Sequence, residues 1–158
     1  MRLIAHRGNT NGKFENSENE PTYIDLAIKK GYDVEVDVWY KDGMLWLGHD
    51  KPDYGVDFRW FRDRITKLWI HCKNVDAVVF FQNSGYPFHY FWHENDTITI
   101  TSKGCIWAFP GKQPIESSIA VMPELYNDNV DSCLGICSDF IEKYKDDITN
   151  LRDQTRTD

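Results

Sequence analysis

A five-residue stretch of alternating valines and acids, VEVDV at 34–38, constrains the fold more than any other part of the chain. Successive side chains of a strand point to opposite faces, so Glu35 and Asp37 share one face and the valines share the other. The valines are typical of a strand face covered by a helix. The acids then lie on the opposite face, where Mg²⁺ or Ca²⁺ can offset their charge. Solvated acids on an exposed sheet face are the alternative.

The composition predicts one folded domain over residues 1–158. Of the 158 residues, 41% are hydrophobic and 15% aromatic, which is enough to build a core and argues against disorder. The formal net charge of -7 predicts no nucleic-acid partner. No apolar run reaches the length of a signal peptide or a membrane span, and the four cysteines form no CxxC pair. We therefore expect reduced thiols and a cytoplasmic protein.

The order of the predicted elements is typical of an α/β fold. A strand over 2–6, a helix over 21–30 and a strand over 33–40 have the order of a parallel βαβ unit, and Asn19 is predicted to cap the helix. Further strands are predicted near residues 46, 70, 91, 99, 107, 120 and 136, with helices over 58–65, 76–83 and 139–144. The charged tail from residue 146 fits either a helix or a frayed end.

Eight strands, besides the return strand near residue 46, predict a compact (β/α)8 TIM-type barrel. The chain is shorter than the roughly 250 residues typical of this fold, so several outer helices must be reduced or missing. An α+β sheet with fewer strands of mixed direction is the alternative.

Polar side chains gather at the C-terminal ends of the predicted strands, which form one rim in a parallel barrel. Phosphodiester cleavage needs such groups: a cation for the phosphate oxygens, a base for the attacking hydroxyl and an acid for the leaving oxygen. Histidine titrates near neutrality and suits either proton transfer, while arginine and lysine bind phosphate. The rim residues are His6 and Arg7, Glu35 and Asp37, His49, His71 and Lys73, His93 and Glu94, Lys103, Trp107, Glu124, and Asp139.

Residues 1–50 resemble the N-terminal signature of the glycerophosphodiester phosphodiesterases, a family of the phospholipase C-like phosphodiesterase superfamily. The motifs that carry the resemblance are His6-Arg7-Gly8, Glu18-Asn19, residues 35–38, Asp42-Gly43 and His49-Asp50, in this order and spacing. The related sphingomyelinase D-type enzymes share the pattern. The resemblance implies a (β/α)8 barrel and a hydrolase that acts on a glycerophosphodiester or a similar small phosphodiester.

The resemblance also implies a role for each motif residue. It implies that His6 and His49 are the acid–base pair, that Glu35 and Asp37 bind Mg²⁺ or Ca²⁺, that Arg7 supports the phosphate site, and that Glu18 lies beside the metal and the substrate.

The chain departs from the family on its third main strand. There the family usually has a metal-binding acid two residues before a lysine, whereas this chain has His71 before Lys73. Imidazole is a poorer ligand for Mg²⁺ or Ca²⁺ than a carboxylate is, so the metal has fewer protein ligands, is a softer ion such as Mn²⁺, or is absent. His71 is either a ligand or a polar group that lines the barrel. Trp107 is either core or a wall of the substrate site.

The sequence therefore predicts a metal-dependent phosphodiesterase that uses His/His general acid–base catalysis on a small-molecule phosphodiester. A catalytically inactive barrel that binds a phosphorylated or sugar ligand is the main alternative, favoured by the short length and by His71. A different metal-dependent hydrolase, such as an esterase, is the third.

Overall fold

A computed structural model describes residues 1–154, and its side chains are considered over residues 1–147. The predicted charged tail is helical as far as Gln154, and residues 155–158 lie outside the described part. The helices are α1 (Pro21–Lys29), α2 (Phe58–Arg62), α3 (Val75–Asn83) and α4 (Ile141–Gln154), with a 3₁₀ helix at Pro123–Leu125. The strands are β1 (Arg2–His6), β2 (Asp33–Lys41), β3 (Met44–Leu47), β4 (Tyr54–Val56), β5 (Leu68–Cys72), β6 (Tyr90–Phe91), β7 (Ile98–Ile100), β8 (Ile106–Ala108), β9 (Ser118–Val121) and β10 (Gly135–Ser138).

The strands form one curved, mixed sheet. Its parallel part has the order β6-β5-β2-β1-β10-β9-β8, so β2 lies between β1 and β5. β7 pairs antiparallel with β8, and the β3–β4 hairpin extends antiparallel from the end of β2. The ten strands together make a half-barrel.

The prediction of a (β/α)8 TIM-type barrel is therefore wrong. A parallel pair needs a crossover of roughly a dozen residues or more, but only residues 101–105 separate β7 from β8, so β7 runs antiparallel. Within residues 1–154, β6 forms a strand ladder with β5 alone. Only isolated hydrogen bonds, such as the 2.8 Å bond from the Ser102 N–H to the Tyr90 carbonyl, join β6 to the turn between β7 and β8, so no ladder closes the sheet over these residues. No α-helix lies between β6 and β9. The alternative of a mixed-direction sheet describes the architecture better, although the strands are more numerous than it assumed.

The valines of β2 are fully buried, as the alternating pattern predicts. They share one apolar cluster with Ile24 and Ala27 of α1 and with Phe81 of α3. Because side chains alternate along a strand, Glu35 and Asp37 face the inner side of the half-barrel. Both acids are buried there, so the alternative of a solvated acidic face is excluded.

A second apolar cluster fills part of the inner side of the sheet. It contains Ile4, Trp69, Phe91, Trp107 and Ile119. The rings of Phe91 on β6 and Trp107 on β8 have centroids 4.6 Å apart, so these side chains pack across the gap between two strands that form no ladder with each other. Aromatic packing thus holds the two ends of the curved sheet near each other.

Removal of the buried Phe81 ring should destabilise the fold far more than removal of an exposed side chain on the same helix. Phe81→Ala is expected to lower the free energy of unfolding by about 3–5 kcal/mol, because it leaves a cavity against the β2 valines. Val79, which is 47% exposed, is the matched control, and Val79→Ala should change the stability by about 0.5 kcal/mol or less. Urea unfolding measures both. Equal losses would contradict the placement of α3.

Candidate active site

A cavity of about 390 Å³ opens at the C-terminal ends of the parallel strands. The structure therefore brings most of the predicted site residues together around one space. Its polar lining residues are His6, Arg7, Glu35, His49, His71, Lys73, His93 and Glu94, and its apolar ones are Trp92, Trp107, Phe109 and Val121.

Asp37 is fully buried beside this cavity, and polar or cationic groups surround its carboxylate. Oδ2 lies 3.0 Å from Arg7 Nε and accepts a 2.9 Å hydrogen bond from Asn19 Nδ2. Oδ1 lies 3.0 Å from His71 Nδ1 and 3.5 Å from Lys73 Nζ. Burial alone would raise the pKa of Asp37, but His71, Arg7 and Lys73 outweigh it and hold that pKa well below its usual range.

Glu35 is also buried, but its ionisation is less favoured. Its Oε2 lies 4.0 Å from His6 Nε2 and accepts a 3.3 Å hydrogen bond from the Arg7 backbone N–H, and its Oε1 lies 3.7 Å from His71 Nδ1. Burial and the adjacent negative charge of Asp37 raise the pKa of Glu35, although the nearby cationic groups partly offset them. The two carboxyls thus shift in opposite directions, as is typical of like charges buried together.

Glu35, Asp37 and His71 form a donor set that fits a divalent cation. One ligand atom from each residue lies within 4.8 Å of the other two. Asp37 Oδ1 is completely buried, and within residues 1–147 no group makes a well-aligned hydrogen bond to it. A buried polar atom without such a partner is costly, and a cation is one group that satisfies it. The geometry also places His71 against both carboxylates rather than on a distant part of the wall.

His6 is oriented by Asp139, the residue that follows β10. His6 Nδ1 lies 2.8 Å from Asp139 Oδ1, and that oxygen also accepts a 2.8 Å hydrogen bond from Asn9 Nδ2. A carboxylate at Nδ1 holds the ring so that Nε2 faces Glu35 and the cavity. Burial opposes charge on His6, but the hydrogen bond to Asp139 and the charge of Glu35 outweigh burial and raise the pKa of His6 above its usual value.

His49 occupies a more exposed position than His6. Its side chain is 39% exposed, and its Nδ1 lies 2.7 Å from Asp50 Oδ1. Burial, with the positive charges of Arg7 and Lys73, lowers the pKa of His49 despite the acids nearby. The pKa values of the two cavity imidazoles are therefore shifted in opposite directions.

The loop that carries His49 is fixed to β2 by hydrogen bonds. Trp39 Nε1 donates to the Gly48 carbonyl at 2.7 Å, and the Gly48 N–H donates to the Asp37 carbonyl at 3.1 Å. Gly48 has φ +146°, and a Cβ there would lie 2.1 Å from the Lys51 carbonyl oxygen, so only glycine fits. The hairpin therefore delivers His49 to the end of the same strand that carries the acids.

Arg7 reaches the site from a strained backbone position. Its φ of 52° lies in the left-handed region, where a non-glycine residue is uncommon. Its Nη1 donates a 3.0 Å hydrogen bond to Glu18 Oε2, and Asn9 donates to Glu18 Oε1 at 2.9 Å. Glu18 does not line this cavity. It contacts Arg7, so its role is to hold the guanidinium in place.

Two asparagines belong to the site in ways that the sequence analysis missed. Asn19, predicted to cap α1, instead donates to Asp37 Oδ2 and accepts from the Asp37 N–H, while Glu20 occupies the N-cap position. Its place in the Glu18-Asn19 motif was an available signal. Asn9, which links Asp139 to Glu18, carried no comparable signal, because it lies in a polar loop and its partner Asp139 is 130 positions away in the sequence.

The aromatic wall combines core residues with exposed ones. Trp107 is buried against Trp69 and Phe91 yet also lines the cavity, so it is both core and wall. Trp92 is 39% exposed and also lines the cavity. Of the remaining rim residues, Glu124 accepts hydrogen bonds from the hydroxyls of Ser138 and Tyr144. Neither Glu124 nor Lys103 lines the cavity.

Comparisons of the chain with family models, curated proteins and solved structures found no match. The resemblance over residues 1–50 therefore stays a prediction from motifs, and the geometry of the site has to support any functional proposal. Within residues 1–154, no helix has both the length and the apolar character needed to cross a membrane.

Asp139→Asn is expected to lower the pKa of His6, because a neutral amide no longer stabilises the imidazolium. Asp50→Asn is the matched control at the other imidazole. The Asp50 side chain is 92% exposed, so solvent screens its charge and the pKa of His49 should move only slightly. NMR titration of the imidazole protons measures both values. An unchanged His6 titration in Asp139→Asn would contradict the assigned contact.

Proposed function

We propose that the protein is a metal-dependent phosphodiesterase that cleaves a glycerophosphodiester or a similar small phosphodiester, with an alcohol as the leaving group. The observation that carries the proposal is that His6 and His49 line one cavity next to the buried acids Glu35 and Asp37. The resemblance of residues 1–50 to the glycerophosphodiester phosphodiesterases supports the same activity.

Arg7 and Lys73 are proposed to bind the phosphate group. Both line the cavity, and both contact Asp37, which fixes their positions. The chain carries a formal net charge of -7, so an anionic substrate needs local positive charge of this kind. Guanidinium and ammonium groups then donate charge-assisted hydrogen bonds to the phosphate oxygens.

Glu35, Asp37 and His71 are proposed to hold a divalent ion, with Mg²⁺, Ca²⁺ and Mn²⁺ as the candidates. When bound, such an ion supplies positive charge that stabilises the phosphate oxygens in the transition state. Arg7 and Asn19 keep the Asp37 carboxylate in position on the side away from His71. The acids thus act on the substrate indirectly, because they position the ion and the side chains of Arg7 and Lys73.

His49 is proposed to act as the general base and His6 as the general acid. The lowered pKa of His49 favours the neutral ring, which accepts the proton of the attacking hydroxyl, from water or from a neighbouring hydroxyl of the substrate. As the new P–O bond forms, the bond to the alcohol breaks and His6 donates a proton to the leaving oxygen. Asp139 favours that protonated state of His6. Attack by a substrate hydroxyl yields a cyclic phosphate, and attack by water yields a phosphomonoester.

We also propose a cytoplasmic location for the protein. All four cysteines are free thiols, and Cys72, Cys133 and Cys137 are buried. Free thiols persist in compartments that are kept reducing.

Glycerophosphocholine supplied with Mg²⁺, Ca²⁺ or Mn²⁺ should release its alcohol, and both His6→Ala and His49→Ala should reduce kcat by about 10²–10⁴-fold. His89→Gln is the matched control, because His89 is buried away from the cavity with Nε2 2.7 Å from Thr101 Oγ1. Circular dichroism checks that each variant folds. No turnover across a panel of head groups and metals would contradict the proposal, and phosphate-ester binding without turnover would indicate a non-catalytic binding protein instead.

The pH profile of kcat/KM should be bell-shaped. Activity requires neutral His49, whose pKa is lowered, so the midpoint of the acidic limb should lie below about pH 6.5. Activity also requires protonated His6, whose pKa is raised, so the midpoint of the alkaline limb should lie above about pH 6.5. Initial rates at subsaturating substrate give the profile. A single limb, or a narrow maximum with both limbs on the same side of that value, would contradict the assigned roles.

A further inference from the structure

We infer that the site formed by Glu35, Asp37 and His71 prefers a first-row transition-metal dication, represented by Mn²⁺, over Mg²⁺ and Ca²⁺, with His71 Nδ1 as a direct ligand. The inference deepens the proposed function, since it rests on the proposed metal site. It does not require that the protein cleave a phosphodiester.

The donor atoms of the site support a preference of this kind. His71 Nδ1 lies 3.0 Å from Asp37 Oδ1 and 3.7 Å from Glu35 Oε1, so one nitrogen and two carboxylate oxygens converge. Mg²⁺ and Ca²⁺ favour all-oxygen sites, whereas imidazole favours transition-metal ions, whose affinity rises along the series from Mn²⁺ to Cu²⁺. A nitrogen ligand therefore weakens the hard ions relative to the transition metals.

The orientation of the His71 ring is fixed by its neighbours. The ring stacks on Phe91 at a centroid distance of 5.0 Å and on His93 at 4.4 Å, with interplanar angles of 8° and 16°. His71 is also the register partner of Asp37 in the parallel pairing of β5 with β2. The nitrogen is thus held beside the carboxylates before any ion binds, which lowers the entropic cost of coordination.

Two cationic side chains hold the carboxylate of Asp37 beside His71. Arg7 Nε and Lys73 Nζ lie 3.0 Å and 3.5 Å from the carboxylate of Asp37 and bring two positive charges to the two acids. An imidazole that binds an ion carries its proton on one ring nitrogen and offers the lone pair of the other, here Nδ1.

Mn²⁺ is the probe for the test, because its electron paramagnetic resonance reports both binding and ligand type. The metal-stripped wild-type protein should bind one Mn²⁺ at least about tenfold more tightly than Mg²⁺ in competition, because an imidazole ligand stabilises a transition-metal ion more than it stabilises Mg²⁺. Pulsed measurements should show coupling to ¹⁴N, which becomes ¹⁵N coupling when the histidines are isotopically labelled.

His71→Asp should lose the imidazole coupling and should reduce the preference for Mn²⁺ over Mg²⁺ by about tenfold or more. The control His89→Gln should keep both properties. Thermal unfolding without metal checks the folding of each variant. Even if His71→Asp does not fold, the labelled wild-type protein shows whether an imidazole binds the ion, and absence of that coupling excludes His71 as a ligand. Absence of Mn²⁺ binding, absence of imidazole coupling, or equal affinity for Mg²⁺ overturns the inference.

The measurement separates this inference from the proposed activity. Nitrogen-coordinated Mn²⁺ without phosphodiester turnover would contradict the proposed function alone. Turnover supported by Mg²⁺ in a site without nitrogen coordination would contradict the metal preference alone.

Discussion

The burial of two carboxylates side by side on β2 is the constraint on which the site depends. Removing a charged group from water costs several kcal/mol even after relaxation, so Glu35 and Asp37 need partners of opposite charge. The chain provides two cations from separate segments, since Arg7 follows β1 and Lys73 follows β5, and the imidazole of His71 on β5 lies beside the same carboxylates. Because β2 lies between β1 and β5, the strand order itself brings these groups to the acids.

A half-barrel is sufficient for this site. The groups that surround the acids come from β1, β2, β5 and the end of β10, which are neighbours in the sheet. None of those contacts requires closure of the ring. The gap between β6 and β8 instead lies under the aromatic wall, where Phe91 packs on Trp107. A short chain can thus keep the polar centre of a strand-end site while it loses the helices and pairings that complete a barrel.

Local pattern and motif order predicted the buried and inward-facing sides of β2 and the grouping of several polar side chains, but they did not predict the architecture of the sheet. Alternation in residues 34–38 predicted both the buried valines and the inward-facing acids, and the spacing of the motifs placed His6, His49 and the acids around one space. These predictions succeeded because they depend on side-chain period and on strand ends, which are local properties.

The errors arose where the outcome depended on contacts remote in sequence or on turn length. The contact between His6 and Asp139 joins residues 133 positions apart, so no local pattern reveals it. Asn19 has the composition of a helix cap, but its amide satisfies Asp37 instead. The direction of β7 was open to prediction, because the short turn before β8 permits only a hairpin. The predicted closed barrel rested on the number of strands and did not take the length of each connection into account.

Anomalous diffraction from a crystal soaked in Mn²⁺ tests the central claim most directly, because it locates the ion without reference to any reaction. The account predicts one strong peak within bonding distance of Glu35, Asp37 and His71, with Arg7 and Lys73 still beside the acids. A soak at a saturating Mn²⁺ concentration in which no peak lies between the two carboxylates, and Asp37 contacts only Arg7, Asn19, His71 and Lys73, would contradict it.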